Sequence, residues 1–253
     1  MHEKKFLGAS SLILLAIITL AFSLPLDFLT EQKRFERVRT AITKKQDIIE
    51  KKLKTKALTL HNFNTLFIAY KDSDELEVYV KHKDSLTYQK IESYGICAKS
   101  GQLGPKRKQG DYQVPEGFYY INRFNPTSTF LLSLGINYPN ASDRIKGHSS
   151  NLGGDIFIHG ACVTIGCLPM TNSQIQELYL FAIHARNNGQ LHIPVYIFPF
   201  KMTQENMAIF RTAHISNNGL IRFWTNLKLG YDKFVSEQKA LQVKILKNGD
   251  YHF

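Results

Sequence analysis

Residues 156–170 read Ile-Phe-Ile-His-Gly-Ala-Cys-Val-Thr-Ile-Gly-Cys-Leu-Pro-Met, and no other segment says as much about the chain. The apolar run that ends at His159-Gly160 predicts a buried strand with a histidine at its end. After a short loop, Gly166 directly precedes Cys167. A thiol needs a base within reach to become a nucleophile at neutral pH, because a free cysteine, with a pKa of about 8.5, is mostly protonated. The pattern therefore predicts a cysteine acyl-transfer site.

Two other interpretations of this segment stay open. Cysteine is among the most buried residue types, so the histidine and the thiols could simply be core and loop residues. A metal site is the second alternative, with ligands from His159, Cys162, Cys167 and Cys97. The His-x2-Cys-x4-Cys spacing, however, matches none of the usual paired zinc knuckles. Acyl transfer itself requires neither a metal nor an organic cofactor.

The segment resembles the signature of the L,D-transpeptidase catalytic domain family, also called YkuD, whose members carry a His-Gly and a later Ser/Thr-x-Gly-Cys. His159-Gly160 matches the first half and Thr164-Ile165-Gly166-Cys167 matches the second. The short spacing is most similar to the YafK-like branch. The resemblance covers residues 61–251 and is carried by further stretches at 115–120, 132–140, 195–202 and 223–228.

The resemblance implies a β-rich α+β domain with the mixed two-sheet L,D-transpeptidase fold, and we expect helices after the cysteine. Cys167 would be the nucleophile and His159 its general base. The carbonyl of Gly160 would hold the second imidazole nitrogen. The backbone N–H of Cys167, with Gly166, would form the oxyanion hole.

The implied substrates are peptidoglycan stem peptides, and a wall-linked protein is a further implied partner. A transpeptidase would pass the acyl group to an amine, whereas a hydrolase would pass it to water. Ile165 and Pro169 stand where the commoner branch has a histidine and an arginine or asparagine, which keeps the hydrolase open. The third alternative is a wall-binding module without catalysis.

Four further residues are predicted to contact the substrate or to order the site: Tyr120, Arg144, His148 and Thr164. Only one of Tyr119 and Tyr120 can face the core, because side chains alternate along a strand. Cys162 either pairs with Cys167 or fills the loop as a free thiol, and Cys97 is assigned to packing. Three cysteines leave at least one thiol free in a monomer.

Residues 1–29 are predicted to be a signal peptide or a signal anchor. Lys4 and Lys5 precede an apolar run over residues 6–22, which is near the lower limit for spanning a bilayer. Such a segment places the rest of the chain in the periplasm or cell envelope. It also separates the chain from chromosomes, and no nucleic-acid-binding signature is present, so no nucleic-acid partner is expected.

Residues 30–58 carry much of the net charge of +11 and predict a basic amphipathic helix. Together with residues 6–22, this segment could contact the inner membrane, although a solvated helix beside the domain is as well supported. Residues 59–253 form the predicted catalytic domain. A capping box at Ser173 and Gln176 is expected to start the first helix after the cysteine, and later helices are predicted from Thr203 and from Phe223.

Overall fold

A computed structural model describes residues 27–147 and 149–253. Ten strands are described: β1 (Phe63–Tyr70), β2 (Glu75–His82), β3 (Gln89–Gly95), β4 (Gly117–Asn125), β5 (Ser133–Ile136), β6 (Phe157–His159), β7 (Leu168–Pro169), β8 (Ile193–Phe198), β9 (Lys244–Ile245) and β10 (Tyr251–His252). The helices are α1 (Phe28–Gln32), α2 (Glu36–Lys54), α3 (Ala141–Lys146), α4 (Asn172–Asn187), α5 (Gln204–Ala213) and α6 (Asn218–Glu237).

Eight strands form one mixed sheet in the order β3-β2-β1-β8-β4-β5-β6-β7, and β9 pairs with β10 in a second, two-stranded sheet. β1 and β8 are parallel, as are β6 and β7, while the other pairs are antiparallel. The predicted α+β fold, with helices after the cysteine, is confirmed. The short strand β7, which follows Cys167, lies at the edge of the large sheet.

Alternate residues of β1 face two separate hydrophobic cores. Phe67 packs with α2 and α4, whereas Leu66 on the opposite face packs with α6 and its buried Trp224. Every residue of α4 from Ile175 to Ala185 is buried. α4, the helix that follows the candidate nucleophile, therefore lies at the centre of the first core. Because α4 begins shortly after β7, its burial fixes the end of that strand.

The basic segment contains α2 and the end of α1, which begins two residues before it, and α2 packs on α4 through apolar residues such as Ile49 and Leu53. Its lysines also bind the domain: Lys45 and Lys52 lie 2.9 and 2.7 Å from the carboxylate of Glu177 in α4. The hydroxyl of Tyr94 donates to the same carboxylate at 2.7 Å. Part of the segment's charge is thus neutralised by the domain.

Two predictions of helix starts are wrong. The capping box of α4 is formed by Thr171 and Gln174, two residues before the predicted pair, because Thr171 is the residue with extended backbone. α6 begins at Asn218, since the side chain of Asn217 accepts a hydrogen bond from the N–H of Leu220 at 3.0 Å. By contrast, Thr203 caps α5 as predicted.

The apolar run at residues 6–22 and the candidate residue His148 lie outside the described residues. In the described part of the chain, no helix is both long and apolar enough to cross a membrane.

Candidate active site

The parallel pairing of β6 and β7 places His159 near Cys167. His159 lies opposite Pro169, and Ile158 lies opposite Leu168. If this register is continued by one residue, Cys167 stands opposite Phe157. Residues two apart on a strand share a face, so the histidine and the thiol occupy one face with an offset of two residues, roughly 7 Å along the strands.

His159 is held tightly at the end of β6. Its Nδ1 lies 2.6 Å from the carbonyl oxygen of Gly160, and its ring stacks on Phe130 with the centroids 4.5 Å apart. Only 2% of the residue is exposed. Burial lowers the pKa of the imidazole, which the hydrogen bond to Gly160 only partly opposes. With Nδ1–H donating to this carbonyl, the neutral ring presents Nε2 as a base.

Cys167 is the free cysteine among the described residues, and it is half-buried. Its Sγ lies 3.6 Å from the carbonyl oxygen of Asp155, to which the thiol donates. Burial raises the pKa of the thiol, and the negative charge of Asp155 acts in the same direction. No hydrogen bond joins the thiol directly to His159 within the described residues. A raised thiol pKa beside a lowered imidazole pKa favours a neutral resting pair, in which proton transfer accompanies attack.

The hydroxyl of Thr164 orders the backbone of Cys167. Thr164 Oγ1 accepts hydrogen bonds from the N–H of Cys167 at 2.8 Å and of Gly166 at 3.2 Å. It also donates to the carbonyl of Cys167 at 3.0 Å. Both N–H groups predicted for the oxyanion hole therefore point to the Thr164 hydroxyl, and a substrate oxyanion must share or replace that acceptor.

Both glycines of the motif are required by their surroundings. A Cβ at Gly160 would lie 2.6 Å from the carbonyl oxygen of Phe130 and 2.8 Å from Oδ1 of Asn172. Gly166 has a φ of +134°, which L residues rarely adopt, and a Cβ there would lie 3.0 Å from the carbonyl oxygen of Gln113. The loop between His159 and Cys167 can close only with glycine at both positions.

Cys162 forms a disulfide with Cys97, and the two Cα atoms are 5.3 Å apart. The prediction that Cys97 serves only packing is therefore wrong, and Cys162 neither pairs with Cys167 nor fills the loop as a free thiol. With both of these cysteines in a disulfide, the zinc alternative loses two of its four ligands. Sequence could not choose the pair, because 65 residues separate the partners. The disulfide ties the loop between His159 and Cys167 to the segment that follows β3.

The other predicted substrate contacts lie elsewhere in the fold. The ring of Tyr120 packs on His192 with the centroids 4.5 Å apart, while its neighbour Tyr119 is buried, as the alternation predicts. Arg144 is exposed on α3 and donates to the carbonyl of Pro139. Neither residue lines the cleft at Cys167.

That cleft, with a volume of about 250 Å³, was not predicted from the sequence. Cys167 and Leu168 form one side, and residues 96 and 98–103 form much of the other. Charged side chains also line it, among them Lys71, Asp74 and Lys99. The disulfide at Cys97 anchors the wall segment, and the N–H of Cys97 donates to the carbonyl of Pro169 at 3.0 Å. No sequence motif connects residues 96–103 with Cys167 and Leu168, so the cleft between them has no signal in the sequence.

Known proteins are similar to this chain over the part that carries the large sheet and the candidate site. The model of the L,D-transpeptidase catalytic domain, YkuD, matches residues 66–197. The Escherichia coli K12 protein named "Putative L,D-transpeptidase YafK" is 40% identical over 184 residues, which is 72% of this chain and 70% of that protein. The crystal structure of the helical cell shape determining protein Pgp2 from Campylobacter jejuni is similar with a TM-score of 0.44 and 16% identity, covering 74% of each chain.

Proposed function

Because this chain belongs to the L,D-transpeptidase catalytic domain family, and its function is thus related to peptidoglycan, we propose that it is a cysteine acyltransferase that acts on peptidoglycan stem peptides. The observation that carries the proposal is the pairing of β6 with β7, which sets the free thiol of Cys167 beside the oriented imidazole of His159.

The proposed reaction has two steps. In the first, the sulfur of Cys167 attacks the carbonyl carbon of an L,D-peptide bond while His159 Nε2 takes the thiol proton. The C–N bond then breaks, the proton passes to the leaving amine, and a thioester remains on the enzyme. In the second, an amine attacks the thioester while His159 takes a proton from that amine, the C–S bond breaks, and His159 passes this proton to the departing sulfur of Cys167.

The second candidate is a hydrolase that uses the same thioester, with water as the acceptor. It would act as an L,D-carboxypeptidase or would release a wall-linked protein. The exposed apolar side chain of Ile165, 76% accessible at the rim of the loop, favours this candidate because it offers an incoming amine no polar partner. A wall-binding module without catalysis is the third candidate.

We also propose that the protein works in the periplasm or cell envelope. The disulfide between Cys97 and Cys162 is of the kind that persists in oxidising compartments. Exposed lysines of α2, among them Lys44, Lys51 and Lys54, would face the anionic headgroups of the inner membrane. A signal segment within residues 1–29 completes this proposal.

The test is mass analysis of muropeptides after the purified protein is incubated with isolated sacculi, beside the Cys167→Ala variant. New cross-linked or exchanged products that require Cys167 support the transpeptidase. Trimmed stems or released wall protein that require Cys167 support the hydrolase. If neither protein changes the sacculi while its thiol is shown to be reduced, both enzymatic candidates fall and the binding module remains.

A further inference from the structure

A groove with a volume of about 520 Å³ lies where α1, β4 and the turn between α4 and β8 meet. Its described lining residues differ from those of the cleft at Cys167. α1 is fixed to the end of α4, because the N–H of Leu29 donates to Oδ1 of Asn187 at 2.9 Å. It is fixed to β4 by Phe28, whose ring packs edge-on against Phe124 with the centroids 4.9 Å apart. Both sides of the groove are therefore held in place.

Two arginines line this groove, and within the described residues no acidic side chain does so. Arg186 Nη1 donates to the carbonyl of Leu191 at 2.7 Å, and the guanidinium lies 5.8 Å from the ring centroid of Phe28. Arg123 Nη2 donates to Asp155 at 2.8 Å, an ion pair whose carboxylate is outside the lining. Because a guanidinium has five N–H donors, both arginines retain donors for a ligand. The groove therefore suits an anionic ligand that is rich in acceptors.

Apolar and aromatic side chains lie beside these charges. Leu191 is 63% exposed, and Phe28 is only half-buried at the start of α1. Tyr120, which packs on His192, also lines the groove. Arginine combined with exposed leucine, phenylalanine and tyrosine is typical of protein surfaces that contact the boundary between lipid head groups and acyl chains.

The chain itself limits how far this groove can lie from a membrane. The apolar run that is predicted to be a signal peptide or a signal anchor ends at Phe22, and residues 23–27 connect it to α1. Even when fully extended, these connecting residues reach at most about 18 Å. An uncleaved run in the bilayer would thus hold Phe28 within about that distance of the membrane surface.

We infer that this groove binds the head group of an anionic glycerophospholipid, with Arg186 and Arg123 as the ligands of its phosphate. The two guanidinium groups donate to the non-bridging phosphate oxygens, while Leu191 and Phe28 contact the glycerol and the first methylene groups. The inference goes beyond acyl transfer and rests only on the part of the proposed function that places the chain at the inner membrane. The exposed lysines of α2 would be attracted to any anionic surface, whereas the groove selects one lipid molecule.

The test is photo-cross-linking of the full chain, reconstituted in phosphatidylcholine nanodiscs, to a phosphatidylglycerol probe with a diazirine in its head group. Mass analysis maps the labelled peptides. We expect labels on the peptides that contain Phe28 and Leu191. Unlabelled phosphatidylglycerol should remove these labels, and further phosphatidylcholine should not. Arg186→Gln should lower this labelling about tenfold, because a hydrogen bond to a charged group contributes at least about 1.5 kcal/mol.

The variants separate a phosphate site from a loss of charge or of structure. Lys247→Gln is the matched control, because it removes one positive charge from an exposed side chain in the turn between β9 and β10. Arg186→Lys keeps the charge without the planar fork and should give intermediate labelling. Urea unfolding shows whether each variant is folded. Arg123→Gln, which alters a half-exposed side chain, gives a second measurement should Arg186→Gln unfold.

Three results would overturn the inference. The first is equal labelling of the native protein, Arg186→Gln and Arg123→Gln, or labelling of α2 alone, which indicates diffuse attraction. The second is removal of the labels by inorganic phosphate as effectively as by phosphatidylglycerol, which assigns the groove to the free anion. The third is an intact mass showing that the protein recovered from cell membranes lacks residues 1–22.

The acyltransferase proposal is tested separately, by thioester formation on a soluble stem peptide. A thioester without labelling of the groove leaves the proposed function and removes the inference. Labelling that requires Arg186, without any thioester, has the reverse meaning. Absence of both labelling and thioester would remove both.

Discussion

The Oγ1 of Thr164 lies 2.8 Å from the backbone nitrogen of Cys167 and 3.0 Å from its carbonyl oxygen, so one hydroxyl engages both polar backbone groups of the nucleophile. Thr164→Val keeps the shape of the side chain and removes this hydroxyl. We expect thioester formation to slow about 10²-fold, since one hydrogen bond of this kind contributes on the order of 1 kcal/mol and the loop loses three. The rate is followed by mass analysis of the acylated protein, with Thr164→Ser as the control that retains the hydroxyl. A Val variant as fast as the native protein would exclude this role.

Replacing the predicted base should affect the rate far more than the substrate affinity. We expect His159→Gln to lower kcat about 10²- to 10⁴-fold, the usual contribution of a general base. The native enzyme needs a neutral imidazole. Because burial lowers the pKa of His159, the native rate should persist below pH 6.5 and decline only at more acidic values. Initial rates from pH 4 to 8 test this, and a decline that begins above pH 6.5 would contradict it.

The disulfide between Cys97 and Cys162 should stabilise the fold and position the catalytic loop. It closes a loop of 65 residues, for which chain entropy gives about 4 kcal/mol of stability. We expect the Cys97→Ser, Cys162→Ser double variant to unfold at lower urea concentration than the native protein. Reductant should shift the native protein to the same midpoint and leave the double variant unchanged. The measurement uses a Cys167→Ser background, which prevents exchange with the third thiol.

With Cys167 intact, the Cys97→Ser, Cys162→Ser variant should also lose activity at temperatures where it remains folded. The disulfide holds residues 96 and 98–103 against the loop that carries Cys167. Its loss should therefore raise KM, because one wall of the cleft is no longer fixed. The rate at which a small reagent alkylates the thiol of Cys167 should change less. Equal KM values for the native protein and the double variant would show that the disulfide affects stability alone.

Acid should destabilise the protein through His184. This side chain is buried in α4, its Nε2 has no hydrogen-bond partner among the described residues, and burial lowers its pKa to about 4. The unfolded chain takes up this proton near pH 6.5. The unfolded state therefore binds more protons between those values, and stability falls by about 3 kcal/mol as the pH drops from 6.5 to 4.

His184→Leu should flatten that part of the pH dependence. The free energy of unfolding, measured in urea at pH 7 and pH 5, should change less in the variant than in the native protein. Glu177 offers a contrast, because hydrogen bonds from Lys52, Tyr94 and Lys45 outweigh its burial and hold its pKa below the usual value. Its contribution to the free energy of unfolding is present above about pH 4.3 and is lost only under more acidic conditions. An unchanged slope in His184→Leu would assign the acid sensitivity to other groups.

The local chemistry of the site could be predicted from the sequence because it depends on neighbours in the chain. The hydrogen bond from His159 to Gly160 joins adjacent residues, whereas the close contacts that require glycine at 160 and 166 come from the distant residues Phe130 and Gln113. Thr164 orders its own loop, three residues before the thiol. The alternation along β4 likewise separates Tyr119 from Tyr120 correctly.

What could not be predicted depends on contacts between distant segments. The partner of Cys162 is decided by the approach of the segment after β3 to the catalytic loop, for which the sequence has no local signal. The cleft, with its Asp74–Lys99 pair, has the same origin. The predicted starts of α4 and α6 differ from the observed ones because the capping residue is the one with extended backbone, as at Thr171. Several polar residues nearby could have served as the cap.

The place of β7 at the rim of the eight-stranded sheet determines what size of substrate the thiol can reach. A nucleophile at the bottom of a deep cavity accepts only molecules small enough to enter. Cys167 instead stands where the sheet stops. If the proposed function is correct, a strand of a covalent mesh many times larger than the protein could therefore pass across the thiol, and no chain end would have to be threaded into an enclosed site.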